Sequence, residues 1–283
     1  MIRRRWGKDK WMLVPQAEHA RVAGVIAAAW KFSPVRPNGE VIKAIAMHDD
    51  GWAEYDATPH LNGRGEPRSF LEMPKAEHYA IWSRSVALIA EQGLLYGACV
   101  VAQYFVKRAL GESEIARLSP REAVALGKFL AEQEHRLKTW SRELEKRAES
   151  LEEALPTNPN DTATASLASV PVGGTFEDDV RLLEVCDALS ILLCTDFQGT
   201  TTIANVPYLA AVDQLTVRRP NGKFGLEIEP LPFRKNLRDH VRAYIISANP
   251  YENDEQLQTA IQAGMAVSHE FLLAARSEDI SVA

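Results

Sequence analysis

The chain has 283 residues, of which 46% are hydrophobic and 25% charged, with a formal net charge of −6. That length buries a sizeable core in one large domain or two small ones, and the mild acidic excess argues against general binding to nucleic acid or to an anionic membrane. Three cysteines (Cys99, Cys186 and Cys194) without a CxxC pair give neither a disulfide framework nor a zinc–thiolate site, so a reducing, cytoplasmic setting is expected.

In chain order, the basic segment 1–10 is followed by no apolar run of signal-peptide type. Helical spacing then predicts helices over 15–30 and 40–49, the first ending before a turn-rich stretch at 33–39. A Pro- and Gly-rich loop fills 56–74. Helices follow at 74–92 and 94–110, separated at Gly93. Ser119-Pro120-Arg121-Glu122 is a strong helix start, with Ser as cap, Pro in the first position and Glu in the third. The helix it opens runs through the charged stretch 132–153. Residues 157–174 are poor in bulky apolar side chains and read as a flexible connector.

The next helix, 175–197, carries a long apolar stripe, but Glu184 and Asp187 interrupt it and it is too short to span a bilayer. Arms at 214–219 and 223–229 around Pro220-Asn221-Gly222 predict a β-hairpin, with a third strand at 241–247. Residues 254–275 look helix-like, and the tail from 277 looks loose. The expected fold is mainly α: a single helical-bundle domain over 1–283 with a small antiparallel β element at 214–247. A homodimer is left open.

The ionisable residues fall in unusual places. His19 extends the apolar stripe of Ala23, Ile26 and Trp30. Val41 and Ile45 lead to His48, and Ile42 and Ala46 lead to Asp49. Leu183 leads to Asp187 and on to Ile191 and Cys194. Three distant segments thus turn polar groups toward a core. A buried carboxylate without compensation costs several kcal/mol, so Asp49 and Asp187 need a cation, a salt bridge or hydrogen bonds. For Asp187 the bland alternative is an ion pair with an Arg or Lys. A divalent cation shared by two imidazoles and two carboxylates suits Mn, Fe, Zn, Co or Mg.

An early helical His, a His-Asp doublet at the end of the next helix and a late Asp187-Ala188-Leu189-Ser190 together resemble the HD superfamily of helical metal-dependent phosphohydrolases. Gln16-Ala-Glu-His19, Ala44-Ile-Ala-Met-His-Asp-Asp-Gly-Trp52, Tyr55-Asp56-Ala-Thr-Pro59, Gly65-Glu-Pro67 and Phe70 are more closely similar to the bacterial family of unknown function numbered 3891 (DUF3891). The first resemblance implies an HD-like domain, a divalent metal on His19, His48, Asp49 and Asp187, and hydrolysis of a nucleotide or other small phosphoester.

His78, on the stripe with Trp82, Ser85 and Ile89, is the candidate proton donor beside Asp187, with a core-edge His as the alternative. Trp52, Arg64 and Arg68 are the candidate substrate-binding residues. The further His that a two-metal site would need is missing between the doublet and Asp187, where Gln103 and Tyr104 stand instead. His60 and His135 read as incidental. Two rival readings stay open: a non-catalytic sensor of metal or nucleotide, and a di-iron oxygenase of HD type.

Overall fold

The computed structural model describes residues 1–31, 37–111, 118–154, 174–207, 213–220 and 224–276. The expected connector at 157–174, apart from its last residue, the Asn221-Gly222 turn, the tail from 277 and much of the turn-rich stretch 33–39 lie outside them.

The predicted helices form close to their expected limits. They are α1 (Gln16–Ala29), α2 (Gly39–Met47), α4 (Lys75–Glu91), α5 (Leu95–Ala109), α6 (Pro120–Ala154) and α7 (Phe176–Cys194), with the short α3 (Ala53–Ala57) after the His-Asp doublet. Local chemistry sets their ends. Asn38 caps α2 by accepting from the Glu40 amide at 2.9 Å. Thr175 and Asp178 form a reciprocal capping box on α7. Ser119 and Glu122 bond reciprocally at the start of α6.

The expectation of a helical bundle with a small hairpin is overturned. Among the described residues seven strands make one mixed, curled sheet: β1 (Ile2–Trp6), β2 (Lys10–Val14), β3 (Gly199–Ala204), β4 (Gln214–Arg219), β5 (Gly225–Glu229), β6 (Leu237–Ser247) and β7 (Met265–Ala274). Their order is β1-β2-β6-β7-β5-β4-β3. The arms of the expected hairpin do pair, Val217 opposite Ile228. The expected strand at 241–247 lies within β6, and the same sheet holds strands that local pattern concealed. In β1 a run of three arginines hides the alternation, although Arg4 points inward and is buried. The helix-like stretch 254–275 divides into α8 (Asp254–Ala263) and β7, which is antiparallel to β6 and parallel to β5. Strand formation there depends on partners remote in sequence, so a local helical pattern misleads.

Helices and sheet share one hydrophobic core, in which Ile26, Ile45, Phe105 and Leu183 join Val217, Leu226, Val241 and Phe271. Two polar devices lock the layers together. Glu18, buried on α1, accepts from the Arg242 backbone amide of β6 at 3.0 Å and from the Arg242 Nε at 2.9 Å. At the C-terminus of α7, Arg4 Nη1 donates to the Leu193 carbonyl at 3.1 Å and Arg219 Nη2 to the same carbonyl at 2.8 Å. These guanidiniums satisfy carbonyls that a helix end leaves open and complement its dipole. Burial pulls the pKa of both arginines down, that of Arg219 to about 10. The sheet therefore grips α1 and α7, which carry His19 and Asp187. No helix among the described residues is long and apolar enough to cross a membrane.

Candidate metal centre

The close approach of α1, α2 and α7 brings the four predicted residues together. Gly24 of α1 allows it, because a Cβ there would lie 2.5 Å from the Ala46 Cβ of α2. His48 is the C-cap of α2 and Asp49 follows in the turn. Gly51, in the turn after the doublet, packs closely against α4. Its amide donates to Ser85 Oγ at 3.0 Å, and a Cβ there would fall 2.4 Å from the Ile81 carbonyl. Glycine therefore lets the doublet turn pack on α4.

His19, His48, Asp49 and Asp187 are all buried. His19 Nε2 lies 2.8 Å from Asp49 Oδ2, and its Nδ1 lies 3.0 Å from Ser190 Oγ. His48 Nδ1 faces the Ile45 carbonyl at 2.7 Å, so it must carry a proton. A neutral His48 then aims the Nε2 lone pair at Asp187 Oδ1, 3.2 Å away, with Asp49 Oδ2 at 3.9 Å. An acceptor facing two carboxylates in a buried site requires positive charge, either a proton or a metal ion. Burial disfavours the imidazolium, yet Asp49 and Asp187 outweigh that effect and hold the His48 pKa up at about 9. Asp49 and Asp187 are both held below the ordinary carboxylate range, since the histidines outweigh the effect of burial.

Ligating atoms of His19, His48 and Asp49 lie within 4.8 Å of one another, the one such group among the described residues. Asp49 Oδ1 is buried with no hydrogen-bond partner. Two imidazole nitrogens and a carboxylate with one unpartnered oxygen fit a borderline divalent cation. Asp187 stands at the edge of the set. Its Oδ1 faces His48, while its Oδ2 accepts from Tyr104 Oη and, at 3.1 Å, from Arg108 Nη1. The ion pair that was the bland alternative for Asp187 thus exists on one of its oxygens, and the other remains turned to the centre.

The four residues line a cavity of about 140 Å3 together with His78 and Trp52. His78 Nε2 donates to the Phe70 carbonyl at 2.8 Å, and its Nδ1 is buried without a partner. Burial depresses its pKa and favours the neutral ring. Trp52 packs edge-on against His78 with centroids 5.4 Å apart.

Arg64 and Arg68 are not among the lining residues. Arg68 is turned to Tyr55 Oη and the Leu61 carbonyl, and Arg64 is exposed. Lys75 and Arg108 are the basic residues at the cavity instead. His60 pairs with Asp254 at 2.8 Å, and His135 is exposed on α6. Ser190, Tyr104 and Arg108 are the residues that sequence reasoning left without a role. The signal for the last two is their i, i+4 spacing, which sets both on one face of α5.

Fold and site together define a protein class: a helical layer with a buried histidine–carboxylate centre, gripped by a curled mixed sheet. The family described as "Protein of unknown function (DUF3891)" matches residues 1–248, and the chain belongs to that family. No curated protein and no solved structure matches the chain.

Proposed function

We propose that this protein is a metal-dependent phosphohydrolase of HD type acting on a small phosphoester. The observation that carries the reading is the His48 geometry. Its Nδ1 is committed to the Ile45 carbonyl at 2.7 Å, which leaves Nε2 and two carboxylates converging where a proton or a metal ion must compensate them. The order of His19, the His48-Asp49 doublet and Asp187 supports it, as does the cavity that receives them.

His19, His48 and Asp49 would hold the ion, with Asp187 Oδ1 beside them. A bound divalent cation of this kind lowers the pKa of a water and polarises a phosphoryl oxygen. His78, neutral and with Nδ1 unpartnered, is set to accept a proton from water rather than to donate one to a leaving group. Ser190 Oγ, 3.0 Å from His19 Nδ1, fixes that ring. Trp52 and Phe70 wall the cavity and limit access of bulk water.

Metal analysis of the purified protein, followed by a phosphoester screen on the metal-loaded form, tests this reading. About one divalent ion per chain and turnover that disappears in His48→Ala are expected. A metal-free wild type that no divalent ion stabilises removes it.

The clasp of Asp187 Oδ2 by Tyr104 and Arg108 favours a second reading, a binding module in which Asp187 serves structure. Bound metal and ligand-dependent thermal stabilisation without turnover distinguish that case.

A further inference from the structure

Outside the cavity lies a second, larger space of about 640 Å3 between α5, α7 and β3. The two spaces share Phe70, Leu71, Tyr104, Arg108, Asp187 and Ile191, so they meet at Arg108. The inner chamber is small and carries the histidines and carboxylates. The outer one has an apolar floor of Ile191, Leu192 and Ile203, and Leu71 at its mouth is 74% exposed. Leu71 thus extends the apolar floor to the surface, where an apolar group entering the space would meet it.

Arg108 stands where the two chambers join, half-exposed. Its hydrogen bonds to Tyr104 Oη, at 2.7 Å, and to Asp187 Oδ2, at 3.1 Å, both leave from Nη1. Nε and Nη2 remain for a ligand, and a guanidinium edge with two donors matches a phosphate or phosphonate. Lys107, at the outer chamber, is already engaged by Glu177 and Glu184, so Arg108 is the better receiver.

We infer that the ligand is a phosphomonoester with an apolar organic group rather than a nucleotide. Its phosphoryl group is received by Arg108 at the inner chamber, and its apolar body lies on Leu71, Ile191, Leu192 and Ile203. The identity of the head group rests on the phosphohydrolase reading; the apolar groove does not.

Calorimetric titration of the metal-loaded full chain tests the inference. The probes are inorganic phosphate, ethyl-, butyl- and octylphosphonate, octanoate and adenosine monophosphate. Affinity is expected to rise along the alkyl series, by up to about fourfold per methylene where the chain is fully buried. Octylphosphonate should bind more tightly than adenosine monophosphate. Leu71→Asn, a neutral change at an exposed position, should flatten the chain-length dependence. Arg108→Gln should weaken every phosphonate by tenfold or more. Octanoate binding as tightly as octylphosphonate would support the groove and remove the phosphoester reading. Equal affinities along the alkyl series, tighter binding of adenosine monophosphate, or no binding of any probe overturns the inference.

Discussion

His48 Nε2 lies 3.2 Å from Asp187 Oδ1, although the two residues are 139 positions apart in the chain. Because the other ring nitrogen is tied to a backbone carbonyl at 2.7 Å, the pair is stable only with a cation or a proton between them. Removing His48 leaves Asp187 Oδ1 without its partner while Oδ2 keeps Tyr104 and Arg108, and removing Asp187 leaves His48 facing Asp49 alone.

The centre should bind metal through His19, His48 and Asp49. His48→Ala and Asp49→Ala are each expected to lower divalent-metal affinity by at least about a hundredfold, judged against the smaller losses seen when only a supporting residue is removed. Equilibrium dialysis with elemental analysis reads this directly. Chelator should lower the wild-type melting temperature and leave those of the two variants unmoved. Equal chelator sensitivity in all three would place the metal elsewhere.

Ser190 positions the His19 ring and is not one of the candidate ligands. Its hydroxyl lies 3.0 Å from His19 Nδ1 and donates to the Asp187 carbonyl at 2.9 Å. Ser190→Ala should weaken metal binding by roughly 10–100-fold while the protein stays folded. Unchanged affinity by competition with a metal-sensitive dye would show that the ring needs no such support.

Gly51 should tolerate no side chain. A Cβ there meets the Ile81 carbonyl at 2.4 Å and the Ser85 amide nitrogen at 2.7 Å, both backbone atoms of α4. Gly51→Ala is expected to cost roughly 2–3 kcal/mol, because α4 or the doublet turn must shift. Urea denaturation measures it, and a midpoint equal to that of the wild type would refute the close approach.

All three thiols should be unreactive in the native protein. Burial raises the Cys99 pKa to about 11 and that of Cys194 to about 12, and lifts Cys186 well above its ordinary value. Thiolate, the reacting form, is then scarce at pH 8. An aromatic disulfide reagent should label none of them over an hour at that pH, and all three in denaturant. Rapid labelling of any thiol in the native state would contradict the burial of that side chain.

Much of the site was legible because its residues break a local pattern. His19, His48 and Asp187 each occupy a position that helical periodicity assigns to the interior, and a misplaced polar group signals itself within one turn of helix. Helix limits were legible for the same reason, since caps such as Asn38, Thr175 and Ser119 act on residues two or three positions away.

What the sequence determined by itself was therefore the helices, the hairpin arms and the polar residues turned toward the core. Tertiary structure alone decided the seven-stranded sheet, the use of Arg4 and Arg219 as caps on α7, and the placing of Arg108 rather than Arg64 or Arg68 at the cavity. Strand pairing and long-range hydrogen bonds join residues such as Arg4 and Leu193, 189 positions apart. Their free energy depends on three-dimensional neighbours that no local spacing records.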